Sequence, residues 1–274
     1  MRPFWLLLLL LACATMSMPT VGEETASDLS HRLRHLVAAY PLALDRVEGN
    51  TLVWRDGTRM AVDDGSGAKT ATRRLETADI KDMLVESYPS GSGLPPPEGD
   101  PGRARNAAFF NAMYGDCRTG AAQKSLTTVV WLPRKWGKPL QITTRNGVAE
   151  KLMAVSRELD ELPARFDRFL FPPAGTFNCR VIAGTTLMSA HGHGIAIDLA
   201  VDQSDYWRWV KPGSGGAAPG TASGAATGTG AVAAYRNRIP AEIVAIFERH
   251  GFIWGGKWRH FDTMHFEYRP ELLP

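Results

Sequence analysis

Two short segments in the last third of the chain contain residue types that can hold a metal ion. Residues 189–198 read Ser-Ala-His-Gly-His-Gly-Ile-Ala-Ile-Asp, and residues 262–267 read Asp-Thr-Met-His-Phe-Glu. His191, Asp198 and His265 supply two imidazoles and one carboxylate. Three protein ligands that leave one coordination position open are typical of a catalytic zinc site, because the open position holds the water to be activated. The pattern predicts one Zn²⁺ per chain and hydrolytic chemistry.

Hydrolysis also needs a group that moves protons, and the second segment offers two carboxylates. Asp262 lies three residues before His265 and is our candidate for the general base. An ordinary loop position, or a hydrogen bond to a ligating imidazole, is the alternative for this aspartate. Glu267 lies two residues beyond His265, on the same face of a strand, and is the competing base.

The first segment resembles a known family signature at every fixed position. Ser189 to Asp198 matches the S-x-H-x-x-G-x-A-x-D pattern of the zinc D-alanyl-D-alanine carboxypeptidases and L-alanyl-D-glutamate endopeptidases. Gly255 to Glu267 resembles the second metal segment of that family, and the D-x-x-H spacing resembles its endopeptidase branch. The resemblance covers roughly residues 120–270. It implies a bacterial cell-wall enzyme that cuts a peptide bond in peptidoglycan stem peptides, as a carboxypeptidase or an endopeptidase. A wall-binding protein that keeps the fold without turnover is the alternative class.

The family also carries an arginine in the stretch before the signature, which implies a role for Arg180. Its fixed positive charge would stabilise an oxyanion or bind a substrate carboxylate, and a surface salt bridge is the alternative. We expect Thr176 to Ile182 to be a strand, with Asn178 on the same face as Arg180. Asn178, Ser189 and His193 are candidate substrate contacts. The family pattern leaves the position of His193 variable, and a hydrogen-bonded core histidine is the alternative there.

The residues around the proposed ligands have the properties of buried strands. Ile195 to Val201 alternates apolar with small or polar residues, which predicts a buried strand that contains Asp198. An unpaired carboxylate in such a strand would cost several kcal/mol, and a metal ion removes that cost. Gly192 and Gly194 allow a tight turn that would bring His191 back beside Asp198. Met264 to Tyr268 predicts a short strand with the imidazole on one face.

The N-terminus predicts export from the cytoplasm. Phe4 to Ala12 is apolar and too short to span a membrane, so residues 1–14 are predicted to be a signal peptide. A lipoprotein anchored at Cys13 is the alternative, and no later segment is long and apolar enough to be a transmembrane helix. Export to the periplasm or the cell exterior leaves Cys117 and Cys179 in an oxidising compartment, where we expect them to form a disulfide.

Charge and composition exclude some classes of partner. The formal net charge is +3, and removing the signal peptide with its one arginine leaves +2. No basic run is long enough to indicate nucleic-acid binding. A hydrophobic content of 44% is sufficient for one core with a small N-terminal annex.

Residues 22–102 are predicted to form this annex, whose expected role is structural support, with a substrate-side lid or wall-binding module as alternatives. We expect a helix at Asp28 to Tyr40 and another at Glu76 to Tyr88. Turns at Gly49-Asn50 and Asp56-Gly57 predict a β-meander over residues 43–64 between them. A Pro/Gly-rich linker, Pro89 to Gly102, follows.

Residues 103–274 are predicted to be the zinc peptidase core, with an α+β fold in which a small antiparallel sheet carries the zinc site and helices flank it. The expected elements are strands at Ser125 to Leu132 and Pro139 to Thr144, and helices at Val148 to Leu162 and Ala241 to His250. An aromatic run, Asp205-Tyr-Trp-Arg-Trp209, precedes residues 212–234, whose Gly, Ala, Ser and Thr content predicts a flexible insertion.

Overall fold

The computed structural model describes residues 21–89, 91, 99–182, 185–209 and 235–274. The predicted signal peptide (1–14), the predicted insertion (212–234) and most of the Pro/Gly-rich linker lie outside these ranges. Within them, no helix is both long enough and apolar enough to cross a membrane.

The described residues form an α+β structure of helices and small antiparallel sheets. The helices are α1 (Val21–Ala39), α2 (Ala71–Glu76), α3 (Ile80–Met83), α4 (Ala107–Tyr114), α5 (Val148–Asp160), α6 (Asp167–Leu170) and α7 (Ala241–Arg249). The strands are β1 (Leu44–Glu48), β2 (Thr51–Trp54), β3 (Arg59–Ala61), β4 (Leu126–Trp131), β5 (Lys138–Thr143), β6 (Ala196–Asp198), β7 (Phe252–Trp254) and β8 (His265–Tyr268). They form sheets of order β1-β2-β3, β4-β5 and β6-β8-β7. The predicted fold class is therefore confirmed.

The third sheet has one apolar and one polar face, because side chains in a strand alternate between the two faces of a sheet. In β8, His265 and Glu267 point to one face, and Phe266 and Tyr268 point to the other. Phe266 stacks on Phe247 of α7 with ring centroids 3.9 Å apart, so α7 covers the apolar face of the sheet. The opposite face is left for the polar side chains.

One hydrophobic core joins the N-terminal and C-terminal parts of the chain. In α5, Val148, Leu152, Val155 and Leu159 recur at helical spacing and are fully buried against β4. The same cluster of buried residues includes Leu36 of α1.

Two predicted elements are wrong. The predicted helix at Glu76 to Tyr88 is reduced to the short helix α3, because the carboxylate of Asp79 accepts a hydrogen bond from the backbone N–H of Asp82 and caps a new helix there. The predicted strand at Thr176 to Ile182 makes only isolated bridges. Its backbone instead bonds at single points, such as Asn178 N–H to the carbonyl oxygen of His191 at 3.2 Å.

Candidate active site

Three side-chain atoms from separate parts of the C-terminal segment converge at one point. His191 Nε2 lies 3.2 Å from His265 Nδ1 and 3.1 Å from Asp198 Oδ1. The remaining pair, His265 Nδ1 and Asp198 Oδ1, is 3.0 Å apart. These atoms form a nearly equilateral triangle, and both imidazoles are buried.

Strand pairing and one tight turn produce this convergence. Asp198 of β6 lies directly opposite His265 of β8 in the antiparallel register, so their side chains share a face at close range. His191 lies in the 3₁₀ helix Ala190–His193, which ends at Gly194 with φ +67°. A Cβ atom at Gly194 would lie 2.8 Å from Leu126 Cδ2, so both the backbone angle and the packing require glycine.

Neighbouring oxygen atoms fix which nitrogen of each imidazole faces the centre. His191 Nδ1 donates to the backbone carbonyl of Thr176, which leaves the Nε2 lone pair directed at the triangle. His265 Nε2 donates to Glu267 Oε2 at 3.0 Å, which leaves Nδ1 for the triangle. Such outer partners orient metal-ligating histidines and raise their basicity. Both imidazoles are therefore held in the orientation that metal ligation needs.

The donor set fits a small divalent cation. Ligands arranged tetrahedrally at about 2.0–2.2 Å from zinc lie about 3.3–3.6 Å from each other, slightly farther apart than the three atoms observed. Burial lowers the pKa of His265, but its hydrogen bonds to Asp198 and Glu267 outweigh that effect and raise the pKa to about 10. Without a metal ion, the proton on His265 therefore balances the negative charges of Asp198 and Glu267. A metal cation at the centre of the triangle would replace that proton. Zinc matches the two-imidazole, one-carboxylate chemistry of these ligands.

Glu267 is already committed to charge pairing in the interior. Its side chain is fully buried, and it accepts hydrogen bonds from His265, from Arg105 Nη2 and, at 3.2 Å, from Arg269 Nη1. Burial opposes ionisation, but the positive charge of Arg105, with smaller effects from His265 and Arg269, holds the pKa of Glu267 well below its usual range. A carboxylate with these partners is poorly suited to accept a proton from a reacting water.

Asp262 has the opposite environment. Its Oδ1 atom is buried and has no hydrogen-bond partner among the described residues, and its side chain lines the same cavity as the three candidate ligands. Burial, assisted by the negative charge of Asp198, raises the pKa of Asp262 to about 6. The Asp262 segment packs tightly against Gly255, where a Cβ atom would lie 2.6 Å from the Asp262 carbonyl oxygen. Asp262 is thus a fixed carboxylate beside the donor triangle, with one buried oxygen atom that lacks a hydrogen-bond partner in the described part of the chain.

The cavity around the triangle has a volume of about 270 Å³ and also includes Arg180 and Ser189. Arg180 is exposed, and within the described ranges no acidic side chain forms a salt bridge with it. Asn178 is exposed and does not line this cavity. His193 is buried away from it, with Nδ1 bonded to the Gly115 carbonyl oxygen at 3.0 Å. The structure therefore brings Arg180 and Ser189 to the ligands but not Asn178 or His193.

The expected disulfide is present and lies next to Arg180. Cys117 and Cys179 are bonded, with their Cα atoms 5.7 Å apart. This bond ties the irregular segment that precedes the signature to the 3₁₀ helix Cys117–Thr119. Although the segment that contains Arg180 is not in a sheet, the disulfide of the adjacent Cys179 fixes it to the helix at Cys117.

A second acidic cluster, in the N-terminal region, is compensated by lysines. Asp63, Asp64 and Asp79 lie close enough together to hold a cation. Lys69 Nζ, however, lies 2.7 Å from Asp64 and 3.3 Å from Asp79, and Lys81 pairs with Asp63. These ammonium groups take the place that a metal ion would occupy.

The sequence reasoning missed several residues that line the cavity. Arg103 lies 5.8 Å from the ring centroid of Trp258 and pairs with Asp100 at 3.4 Å, and Arg105 also reaches the cavity wall. Both arginines lie more than 80 positions before the signature, and no motif marks them. The aromatic run 206–209 was visible in the sequence, but nothing in its spacing placed it beside the metal ligands.

Comparison with known proteins supports the resemblance carried by the motifs. A family model described as D-alanyl-D-alanine carboxypeptidase matches residues 183–268, which include all three candidate ligands and Asp262. No curated protein and no solved structure gives a significant match to the chain. The family match supports a peptidoglycan-related peptidase activity in general terms. Residues 183–268 of the chain are therefore similar in sequence to the D-alanyl-D-alanine carboxypeptidase family, which is the family that the two candidate metal segments predicted.

Proposed function

We propose that this protein is a zinc-dependent peptidase that hydrolyses a peptide bond in peptidoglycan stem peptides, as a carboxypeptidase or an endopeptidase. The observation that carries the proposal is the triangle of His191, Asp198 and His265 beside the buried carboxylate of Asp262, whose Oδ1 atom has no hydrogen-bond partner among the residues described. A protein that only binds the wall needs no carboxylate placed to handle water. The family match supports the choice of substrate class.

His191 Nε2, His265 Nδ1 and Asp198 Oδ1 would hold the zinc ion. When bound, zinc would supply positive charge that polarises the scissile carbonyl and lowers the pKa of water, so that the water can lose a proton and attack the carbonyl near neutral pH. Thr176 and Glu267 keep the two imidazoles in the required tautomers through their hydrogen bonds.

Asp262 would act as the general base and then as the general acid. One of its carboxylate oxygens takes a proton from the attacking water, and the same proton then passes to the amine of the leaving group. A pKa raised to about 6 by burial suits a group that must be ionised at neutral pH and still bind a proton during the reaction.

Arg180 would stabilise the negative charge that develops on the carbonyl oxygen, or bind a carboxylate of the substrate. Its guanidinium is on the cavity wall and has no competing acidic partner among the described residues. Ser189 lines the same cavity and is our proposed substrate contact. Substrate roles for Asn178 and His193 remain predictions that would need the segment around them to move.

We further propose that the protein acts outside the cytoplasm, since its substrate is there. The Cys117–Cys179 disulfide is consistent with an oxidising compartment, and the N-terminal apolar stretch provides a signal for export.

Mass spectrometry of muropeptides before and after incubation with the protein tests this function directly. We expect loss of a terminal amino acid or cleavage within the stem, abolished by a chelator and restored by Zn²⁺. Arg180→Ala should retain the metal and lose less activity than Asp262→Asn. A protein with a full zinc content that binds peptidoglycan but releases no fragment would instead be a wall-binding protein.

A further inference from the structure

An aromatic patch formed by Tyr206, Trp207 and Trp209 lines the same cavity as the metal ligands. Trp209 is 55% exposed. A large aromatic surface left in water beside a cleft indicates ligand contact, because aromatic side chains gain most when a partner covers them. None of the steps assigned to the catalytic residues uses this surface.

The patch is fixed to the segment that carries the proposed base. Trp207 N–H donates to the carbonyl oxygen of Phe261 at 2.9 Å, and Thr263 N–H donates to the carbonyl oxygen of Asp205 at 2.9 Å. A further hydrogen bond joins Asp205 N–H to Thr263 Oγ1 at 2.7 Å. These contacts flank Asp262 on both sides, so a ligand on the patch would lie at a fixed position relative to the reacting bond.

Contacts with neighbouring rings hold Trp207 and Trp209 in place and leave the indole of Trp209 exposed. Tyr206 meets Trp209 edge to face, with centroids 5.6 Å apart and planes at 77°. Trp207 is held in the same way by His260, at 4.7 Å and 72°. The guanidinium of Arg208 lies 5.0 Å from the Trp207 ring and provides hydrogen-bond donors at the edge of the patch. The result is a rigid apolar surface with polar groups at its border.

We propose that this patch binds a sugar ring of the glycan strand that carries the stem peptide. The inference rests on the proposed function. Peptidoglycan stems consist of residues with small or charged side chains and offer no bulky apolar group to cover an indole. A pyranose ring instead presents a face of C–H groups that packs on an aromatic surface, with hydroxyls at its edge for groups such as Arg208. The patch therefore matches the sugar and not the peptide.

A sugar site next to Asp262 would make the enzyme prefer stems that are still attached to glycan. Binding energy from the sugar would add to that from the peptide, because both belong to one substrate held in one cavity. The preference should appear in the ratio of kcat/KM for a muropeptide to kcat/KM for the same stem peptide without sugar.

Binding is tested with the soluble β-1,4-linked tetramer of N-acetylglucosamine, which carries no peptide, by calorimetric titration of the full protein. We expect wild type to bind the tetramer and Trp209→Ala to bind it about tenfold more weakly, the loss of one aromatic contact. Trp209→Phe keeps an aromatic face and should retain most of the affinity. Trp136→Phe, a partly buried tryptophan that does not line the cavity, is the matched control and should bind as wild type does.

Kinetics on paired substrates complete the test. Trp209→Ala should lower the muropeptide-to-peptide ratio of kcat/KM about tenfold, and Trp136→Phe should not. If Trp209→Ala lowers both values equally, the patch contacts the peptide and the inference is overturned. Failure of wild type to bind the tetramer also overturns the sugar site. Failure of wild type to cleave either substrate overturns the proposed peptidase function instead, so the two failures are distinguishable.

Discussion

Replacing Asp262 with asparagine should reduce activity while it stabilises the metal-free protein at neutral pH. Asparagine keeps the size of the side chain but cannot accept a proton. Within the described ranges, Asp262 Oδ1 has no hydrogen-bond partner to lose, and the loop is held by backbone contacts such as Asp262 N–H to the Gly255 carbonyl oxygen at 3.0 Å. We expect the turnover number to fall by roughly two to four orders of magnitude, the contribution of a positioned general base. Zinc content should be unchanged.

The effect on stability follows from the raised pKa of the same carboxyl. Burial and the charge of Asp198 raise the pKa of Asp262 from 3.8 to about 6, so the unfolded chain ionises more easily than the folded one. The contribution of this group to stability therefore falls as pH rises from about 4 to about 6, by about 3 kcal/mol at 1.36 kcal/mol per tenfold change. Asparagine does not titrate. The stability of Asp262→Asn relative to wild type should thus increase by that amount between about pH 4 and pH 7.

Two measurements check these expectations: muropeptide turnover by mass spectrometry, and denaturant unfolding of metal-free wild type and variant across that pH range. A variant that retained wild-type turnover with zinc bound would refute the assignment of Asp262 as base. A difference in unfolding free energy that stayed constant with pH would contradict the burial argument, even if activity were lost.

Three further predictions concern the metal, its outer partners and the disulfide. Replacing any one of the candidate ligands His191, Asp198 and His265 with alanine should remove most of the zinc, measured by elemental mass spectrometry. His260→Ala is the control and should keep its zinc, because His260 lines the cavity but is bonded to Asp100. Arg105→Ala should weaken zinc binding about 10–100-fold in a competitive chelator titration, because Glu267 would lose its nearest cation, and Arg105→Lys should recover part of that loss. Replacing Cys117 and Cys179 with alanine should lower the unfolding free energy by about 4 kcal/mol in the chain-entropy model for a separation of 62 residues, and an unchanged denaturation midpoint would contradict that model.

The predicted elements that agree with the structure are those with a local signal. The alternation around Asp198 and the run that contains His265 each predicted a buried strand, and β6 and β8 are found there. Leu152 and its neighbours in α5 recur at helical spacing, so a single amphipathic pattern was sufficient to identify that helix. The turn dipeptides Gly49-Asn50 and Asp56-Gly57 are also local signals, and they predicted the meander β1-β2-β3.

The errors arise where one side chain changes the outcome of a local pattern. Glu76 to Tyr88 has helical spacing, but the capping box between Asp79 and Asp82 begins a new helix inside it. The segment from Thr176 to Ile182 has the composition of a strand, but its polar backbone groups bond to His191 and Ser189 at single points rather than along a ladder. Neither outcome is encoded in residue periodicity.

The sequence predicted which three side chains would converge at the candidate site, but it did not predict the charge balance around them. Glu267 was expected to share a face with His265, and the two side chains are 3.0 Å apart. What decides the character of Glu267 is Arg105, which is 162 positions away in the sequence. An ion pair over that separation leaves no periodic signal, so the sequence alone could not distinguish a general base from a buried partner of the histidine.

The N-terminal region, whose role the sequence left open, takes part in this charge balance. The Tyr40 hydroxyl, just after α1, donates to Glu271 at 2.6 Å. Glu271 accepts a hydrogen bond from the fully buried Arg269, which in turn donates to the Gly102 carbonyl oxygen at 2.6 Å. Arg269 and Arg105 then hold the carboxylate of Glu267. A continuous series of hydrogen bonds and ion pairs therefore links the first helix to the partner of a candidate metal ligand.

The segment that matches the family model contains Glu267 but neither of its arginines, since it covers residues 183–268. Without Arg105 and Arg269, the fully buried carboxylate of Glu267 would keep only His265 as a partner among the described residues, and an uncompensated buried charge costs several kcal/mol. Glu267 would then be protonated or would pull His265 out of position. The residues that compensate the charge of Glu267 therefore lie on both sides of the matched segment, and Tyr40 of the N-terminal region is hydrogen-bonded to the same network.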